Sequence, residues 1–86
     1  MKSIESTVRD FLLRLPRARK IGGLKSDDSL FQLGLLDSQG VINTVAFCEE
    51  TFDIEIRDEE VIPKNFESVR ALSNLIKRAQ SRLPGR

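Results

Sequence analysis

The chain has no histidine among its 86 residues. A serine or cysteine nucleophile needs a base within hydrogen-bond reach, and that base is usually histidine. The sequence also lacks a GxxxxGK[ST] phosphate-binding loop and any carboxylates whose placement suggests paired acid and base roles. These absences predict that the protein is not an enzyme.

Cysteine is scarce as well, since Cys48 is the single one. One cysteine cannot form an internal disulfide and cannot hold a metal by itself, so we expect no metal site and a reducing compartment. No apolar run is long enough for a membrane span or a signal peptide, which predicts a cytoplasmic protein. Because Cys48 lies on an apolar helical stripe, it is interpreted as a small core residue rather than a reactive thiol.

Length and composition indicate one small domain. Tryptophan and tyrosine are absent and phenylalanine occurs five times, so the core should be mostly aliphatic. No internal repeat or low-complexity segment divides the chain. We expect a single domain over residues 1–83, a flexible tail over residues 84–86, and a monomer.

Charge is unevenly distributed although the net charge is only +1. The first 25 residues hold seven basic side chains and two acidic ones, whereas the segment Glu49–Glu60 holds seven acids against Arg57 alone. The basic segment from Arg14 to Lys25 lacks interleaved aromatic residues and a recognition helix. We therefore expect no nucleic-acid partner.

Three stretches have the spacing of an amphipathic helix. The first can be capped by Ser3 and is stopped by Pro16; its apolar face consists of Ile4, Val8, Phe11, Leu12 and Leu15. The second begins at Ser38 and carries an apolar stripe of Val41, Val45, Cys48 and Phe52, flanked by Ile42 and Ala46, with Asn43, Glu49 and Glu50 facing water. The last begins near Ser68, a capping residue, and presents Val69, Leu72, Leu75, Ile76 and Ala79 on one face.

The segments between these helices are predicted to be mostly irregular. The long connection from Arg17 to Asp37 has room for a helical turn at Asp28–Gln32, and it should be held down by Leu30, Phe31, Leu33 and Leu35. The segment Phe52–Ile56 alternates like a strand, but no second strand is present to pair with it, so we interpret it as a loop with buried isoleucines. Asp58–Ile62 can form a short helical turn that Pro63 ends. The predicted fold is all-α, with three longer helices, one short helix and a long first loop.

The tetrapeptide Leu36–Gln39 places a serine at the start of the second helix. If Asp37 takes the capping position, Ser38 is the first helical residue and its hydroxyl is free to face solvent. A serine with no base of its own suggests the substrate of another enzyme. An ordinary capping serine is the alternative.

The segment from Asp28 to Asp58 resembles the centre of an acyl carrier protein, and Asn65–Ile76 resembles the last helix of that family. The resemblance implies a small four-helix bundle in which Ser38 carries 4'-phosphopantetheine, transferred from coenzyme A by a separate phosphopantetheinyl transferase that recognises the flanking Asp37. It also implies that the thiol of this group holds an acyl or aminoacyl cargo as a thioester. An activating ligase or synthase would load that cargo and a downstream acyltransferase would remove it, in fatty-acid or secondary-metabolite biosynthesis.

The sequence departs from carriers of bacterial fatty-acid synthesis, which are strongly acidic and have Leu after the modified serine. It is more similar to stand-alone D-alanyl and aminoacyl carriers, because Gly40 occupies the second place after Ser38. Gly40 is explained either by close approach of a partner or the pantetheine arm, or as a tolerated glycine in a first helical turn. The partner-binding surface is predicted at Gln39, Gly40, Ile42, Asn43, Ala46, Glu49 and Glu50. The alternative function is an unmodified helical protein–protein interaction module.

Overall fold

A computed structural model describes residues 3–82 and shows four α-helices, with no strand in that range. The helices are α1 (Ile4–Leu13), α2 (Ser38–Phe52), α3 (Pro63–Phe66) and α4 (Val69–Ser81). Short 3-10 helices at Pro16–Lys20 and Asp58–Glu60 lie in the connections. The predicted all-α architecture of three longer helices, one short helix and a long first loop is confirmed.

The three longer helices begin where their capping residues predict. The Ser3 hydroxyl accepts a hydrogen bond from the Ser6 amide at 3.0 Å, and the Ser68 hydroxyl accepts one from the Ala71 amide at 3.0 Å. In α2 the carboxylate of Asp37 has the same role. Each bond satisfies an amide that has no partner within its own helix, and this fixes the helix start.

The core lies mainly between α1 and α4. Val8 and Leu12 of α1 have no exposed surface, and on α4 the apolar face predicted from the sequence is buried as a whole. Burial of one such aliphatic side chain contributes about 1.5–3 kcal/mol. The ring of Phe11 stacks on that of Phe47 with centroids 4.0 Å apart, and this contact joins α1 to α2.

The long first loop is held against α4 by backbone hydrogen bonds. The Leu30 amide donates to the Glu67 carbonyl at 2.8 Å, and the Arg70 amide donates to the Ser26 carbonyl at 2.9 Å. Leu30 and Leu35 are buried as predicted, whereas Leu33 is 44% exposed. The prediction for Leu33 is therefore wrong, whereas Leu36, which was not predicted to hold the loop, is buried and packs beneath the start of α2.

Three details differ from the sequence-based expectations. Pro63 begins α3 instead of ending a helical turn, because proline fits the first position of a helix, where no amide donor is needed. The 3-10 helix at Pro16–Lys20 was not predicted. On α2 the fully buried residues are Thr44 and Cys48, while Val41 and Val45 are half-buried; the Thr44 hydroxyl donates to the Gly40 carbonyl at 2.7 Å, which satisfies its polar atom.

Ile54 and Ile56 are buried in an irregular segment, so the predicted loop with buried isoleucines is confirmed for residues 53–56, whereas Phe52 is still the last residue of α2. Within residues 3–82 no helix is long and apolar enough to cross a bilayer. The tail expected at residues 84–86 lies outside the described residues.

Candidate functional site

Ser38 is the first residue of α2 and is exposed, as the sequence predicts. Asp37 adopts an extended backbone conformation before it, and its Oδ1 accepts the Gly40 amide at 2.8 Å. The Ser38 hydroxyl makes no hydrogen bond to any residue between 3 and 82. The fold therefore fixes the backbone at Ser38 and leaves its hydroxyl exposed, with no hydrogen-bond partner among residues 3–82.

The second oxygen of Asp37 binds a residue that the sequence analysis did not connect to this site. Nη2 of Arg17 donates to Oδ2 of Asp37 at 2.7 Å. The 3-10 helix Pro16–Lys20 carries Arg17, and this segment lines one groove together with Gln39 and Gly40 of the first turn of α2. The two partners lie 20 residues apart in the sequence, so no local pattern could have revealed the ion pair.

Gly40 has an intramolecular explanation. A Cβ atom at position 40 would lie 3.1 Å from Cδ2 of Leu36 and 3.3 Å from Oδ1 of Asp37. Both distances are tight for a methyl group, and both neighbours are fixed, Leu36 by burial and Asp37 by its capping bond. Glycine thus allows the capping carboxylate and the buried Leu36 to pack closely against the helix start. This explanation does not require close approach of a partner or of the pantetheine arm.

Two grooves meet at Asp37. The larger, about 490 Å³, is lined by the apolar side chains of Phe31, Val41, Ile42, Val61, Ile62 and Pro63, with Asp37 and Ser38 as its polar members. Ile42 is 60% exposed and Ile62 is 43% exposed, so apolar surface is open to solvent directly beside the Ser38 hydroxyl. Such a surface suits an apolar ligand.

The smaller groove, about 240 Å³, also includes Asp37, and it is lined by the apolar side chains of Leu15, Pro16 and Leu35 as well as by polar ones. Arg17, Gln39 and Asn43 line it together with the backbone of Gly40. Nε2 of Gln39 and Oδ1 of Asn43 are 3.3 Å apart, one helical turn along α2. The two grooves share Asp37 and both expose mainly apolar surface; of the two, the smaller one also includes the side chains of Arg17, Gln39 and Asn43.

The predicted partner-binding residues share one helix but not one environment. Gln39, Ile42, Asn43, Ala46 and Glu50 are exposed, and Gly40 is partly covered. Glu49 is half-buried, and its carboxylate accepts the Ile56 amide at 3.0 Å. The expectation that Glu49 faces water is wrong in this respect, because its carboxylate supports the loop after α2.

The first part of α2 carries no formal charge. Residues 38–48 include no Asp, Glu, Lys or Arg, and the carboxylate of Asp37 is paired with Arg17. The amides at the start of a helix carry a partial positive charge, which favours an anion placed there. The start of α2 thus combines a partial positive charge with the absence of acidic side chains at residues 38–48.

Cys48 is fully buried, and burial, with a smaller contribution from the charge of Glu49, raises the pKa of its thiol to about 12. The interpretation of Cys48 as a core residue agrees with this environment. In the described part of the chain no group of three or more His, Cys, Asp or Glu side chains is placed to hold a metal ion.

Comparison with known proteins agrees with this geometry. Residues 6–76 match the family described as "Phosphopantetheine attachment site". The chain is also 30% identical over 59 residues to a probable acyl carrier protein, PigG, from Serratia sp. (strain ATCC 39006), an alignment that covers 69% of this chain and 68% of that protein. An exposed, unbonded serine hydroxyl at a helix start beside an apolar groove fits the prosthetic group of this family. The chain belongs to the phosphopantetheine attachment site family, the carrier proteins that bear a covalently attached 4'-phosphopantetheine.

Proposed function

We propose that Ser38 is the residue that bears 4'-phosphopantetheine, and that the protein presents an acyl or aminoacyl thioester to partner enzymes. The observation that supports this assignment is the Ser38 hydroxyl, which is exposed, free of hydrogen bonds within residues 3–82, and fixed at the first position of α2. The prosthetic group supplies a thiol on which the cargo is held.

The chain's own residues prepare this serine without activating it. Asp37 caps the helix and so fixes the direction in which the next residue leaves the backbone. The start of α2 favours the negative charge that loading adds. Activation of the hydroxyl is left to the phosphopantetheinyl transferase, which uses coenzyme A and magnesium.

Because an apolar groove lies beside Ser38, an acyl group is the first cargo to test. Phe31, Val41 and Ile62 offer it a surface that an aliphatic chain can cover. The relative described above is named a probable acyl carrier protein, which also favours an acyl group as the first cargo. Gly40 occupies the second place after Ser38, as glycine does in aminoacyl carriers, so an aminoacyl group is the second cargo to test.

The partners dock on the exposed side of α2, at Gln39, Gly40, Ile42, Asn43, Ala46, Glu49 and Glu50. Ile42 is the strongest candidate for an apolar contact, since it is the most exposed large apolar side chain among the described residues. Glu50 is free to meet a basic partner surface, whereas Glu49 already accepts the Ile56 amide. The partners are the transferase, a ligase or synthase, and a downstream acyltransferase, and the carrier acts as a cytoplasmic monomer formed by residues 1–83.

The experiment that tests the assignment is intact-mass spectrometry after incubation with coenzyme A, magnesium and a broad-specificity phosphopantetheinyl transferase. We expect a mass increase equal to one phosphopantetheine in the wild type and in Ser81→Ala, and none in Ser38→Ala. Ser81 is a suitable control because it is exposed at the end of α4 and, among residues 3–82, its hydroxyl bonds to the Lys77 carbonyl alone.

A mass increase that persists in Ser38→Ala would refute the assignment. No increase in the wild type, with the transferase active on another carrier and no increase in protein from the native host, would favour the unmodified interaction module.

A further inference from the structure

The Arg17 side chain is bound beside the proposed attachment residue before any group is attached. Its Nη2 lies 2.7 Å from Oδ2 of Asp37, the residue directly before Ser38. We propose that Arg17 is a phosphate-binding residue, whose guanidinium binds the phosphodiester formed on Ser38 while it remains next to Asp37. This inference rests on the function proposed above.

The Arg17 guanidinium has N–H donors that no described residue uses. Arginine carries five N–H donors in a planar fork that matches phosphate oxygens, and a single one of them is used by a described residue, Oδ2 of Asp37. The Arg17 side chain is 57% exposed, so its remaining donors are open to solvent. A second anion can therefore bind without breaking the existing bond.

A cation beside Ser38 would stabilise the loaded state, because loading adds a negative charge close to an existing one. The phosphodiester adds a negative charge on the residue next to the Asp37 carboxylate, and like charges this close repel each other. Among residues 3–82, Arg17 is the one cation within 4 Å of that carboxylate. Because residues 38–48 carry no charge, α2 offers no other counterion.

Arg17 is also held in place by its own segment. Pro16 occupies the first turn of the 3-10 helix, Ala18 is buried, and the Ala18 amide donates to the Leu15 carbonyl at 2.9 Å. A fixed backbone lowers the entropy lost when the side chain binds. Arg17 lines the smaller groove but not the larger one, and Asp37 lines both, so the guanidinium stays outside the larger groove when it pairs with Asp37.

The test is NMR on the intact protein before and after loading with coenzyme A and a phosphopantetheinyl transferase. The variants are Arg17→Gln and its matched control Arg19→Gln, which lies on the same 3-10 helix, is exposed and makes no ion pair with any described residue. We expect the Arg17 Nε–Hε resonance of the wild type to move on loading. The ³¹P resonance of the loaded Arg17→Gln variant should be displaced from the wild-type position, whereas that of Arg19→Gln should coincide with it.

The inference requires both changes. If the Arg17 resonance is unmoved by loading, or if the ³¹P resonance of Arg17→Gln coincides with that of the wild type, Arg17 is only a surface partner of Asp37. Should Arg17→Gln fail to fold, as judged from its amide spectrum, the wild-type resonance decides alone.

Mass spectrometry on the same samples separates this failure from that of the proposed function. An unloaded wild type, or a group on a residue other than Ser38, refutes both. If the wild type is loaded on Ser38 but either of the two NMR changes is missing, the Arg17 inference alone is refuted.

Discussion

Substitution of Asp37 separates the two bonds that its carboxylate makes. Oδ1 caps α2 through the Gly40 amide at 2.8 Å, and Oδ2 pairs with Arg17 at 2.7 Å. Asp37→Ala removes both bonds, whereas Asp37→Asn keeps an oxygen that can cap the helix and removes only the charge. We expect Asp37→Ala to lower the free energy of unfolding more than Asp37→Asn does.

The magnitudes follow from the exposure of the two side chains. Loss of a capping side chain costs about 1 kcal/mol. The side chains of Arg17 and Asp37 are 57% and 45% exposed, so their pair belongs to the class of surface ion pairs, which contribute about 0.2–1 kcal/mol. Asp37→Ala should therefore cost about 1–2 kcal/mol and Asp37→Asn about 0.2–1 kcal/mol, where each kcal/mol lowers the melting temperature of a domain of this size by about 4–8 °C.

The assay is urea unfolding of the apo proteins in low salt and in about 1 M NaCl, because salt screens an exposed pair but not a capping bond. The deficit of Asp37→Asn should vanish in high salt, and most of the deficit of Asp37→Ala should remain. Ser3→Ala is the matched control, since Ser3 caps α1 and makes no ion pair with a described residue; its deficit should not depend on salt. Equal deficits for both Asp37 variants at both salt concentrations would refute this division of roles.

Three further predictions concern other parts of the chain. The hydrogen bonds from Arg82 lower the pKa of Glu60 in the folded state. The stability that Glu60 contributes is therefore present above its unfolded pKa and is lost as the pH falls through the folded pKa. Glu60→Gln should weaken this acid dependence in urea titrations between about pH 7 and pH 3. Cys48 of the apo protein should react with a maleimide at neutral pH only at the rate of unfolding, because its thiol is buried with a pKa of about 12; fast labelling of folded protein would contradict this. Gly40→Ala should not give the gain of about 1 kcal/mol expected from helix propensity, since its methyl group would crowd Leu36; a full gain in urea unfolding would show that the packing yields easily.

The starts of the longer helices were predictable because each depends on one local bond. Ser3, Asp37 and Ser68 all cap the helices that the sequence assigned to them, and the apolar period of α4 identified its buried face. These signals lie within a single helix and its cap, so they can be recognised without knowledge of the rest of the fold.

The details that escaped prediction depend on contacts between distant segments or on ambiguous residues. The pairs of Arg17 with Asp37 and of Glu60 with Arg82 join residues 20 and 22 positions apart, and nothing in the local sequence marks them. Pro63 was ambiguous because proline can end one helical turn or begin the next. Thr44 has a polar side chain and was not expected in the core. Its hydroxyl is satisfied by the Gly40 carbonyl, so Thr44 is more buried than Val45.

The burial of Cys48 also bears on how long cargo stays on the carrier. On the proposed function the cargo is a thioester, and a thioester is exchanged by attack of a thiolate. The chain's single cysteine is fully buried and, with a pKa of about 12, hardly ionised at neutral pH. On that function, intramolecular transfer of the cargo to Cys48 does not compete with its transfer to a partner enzyme.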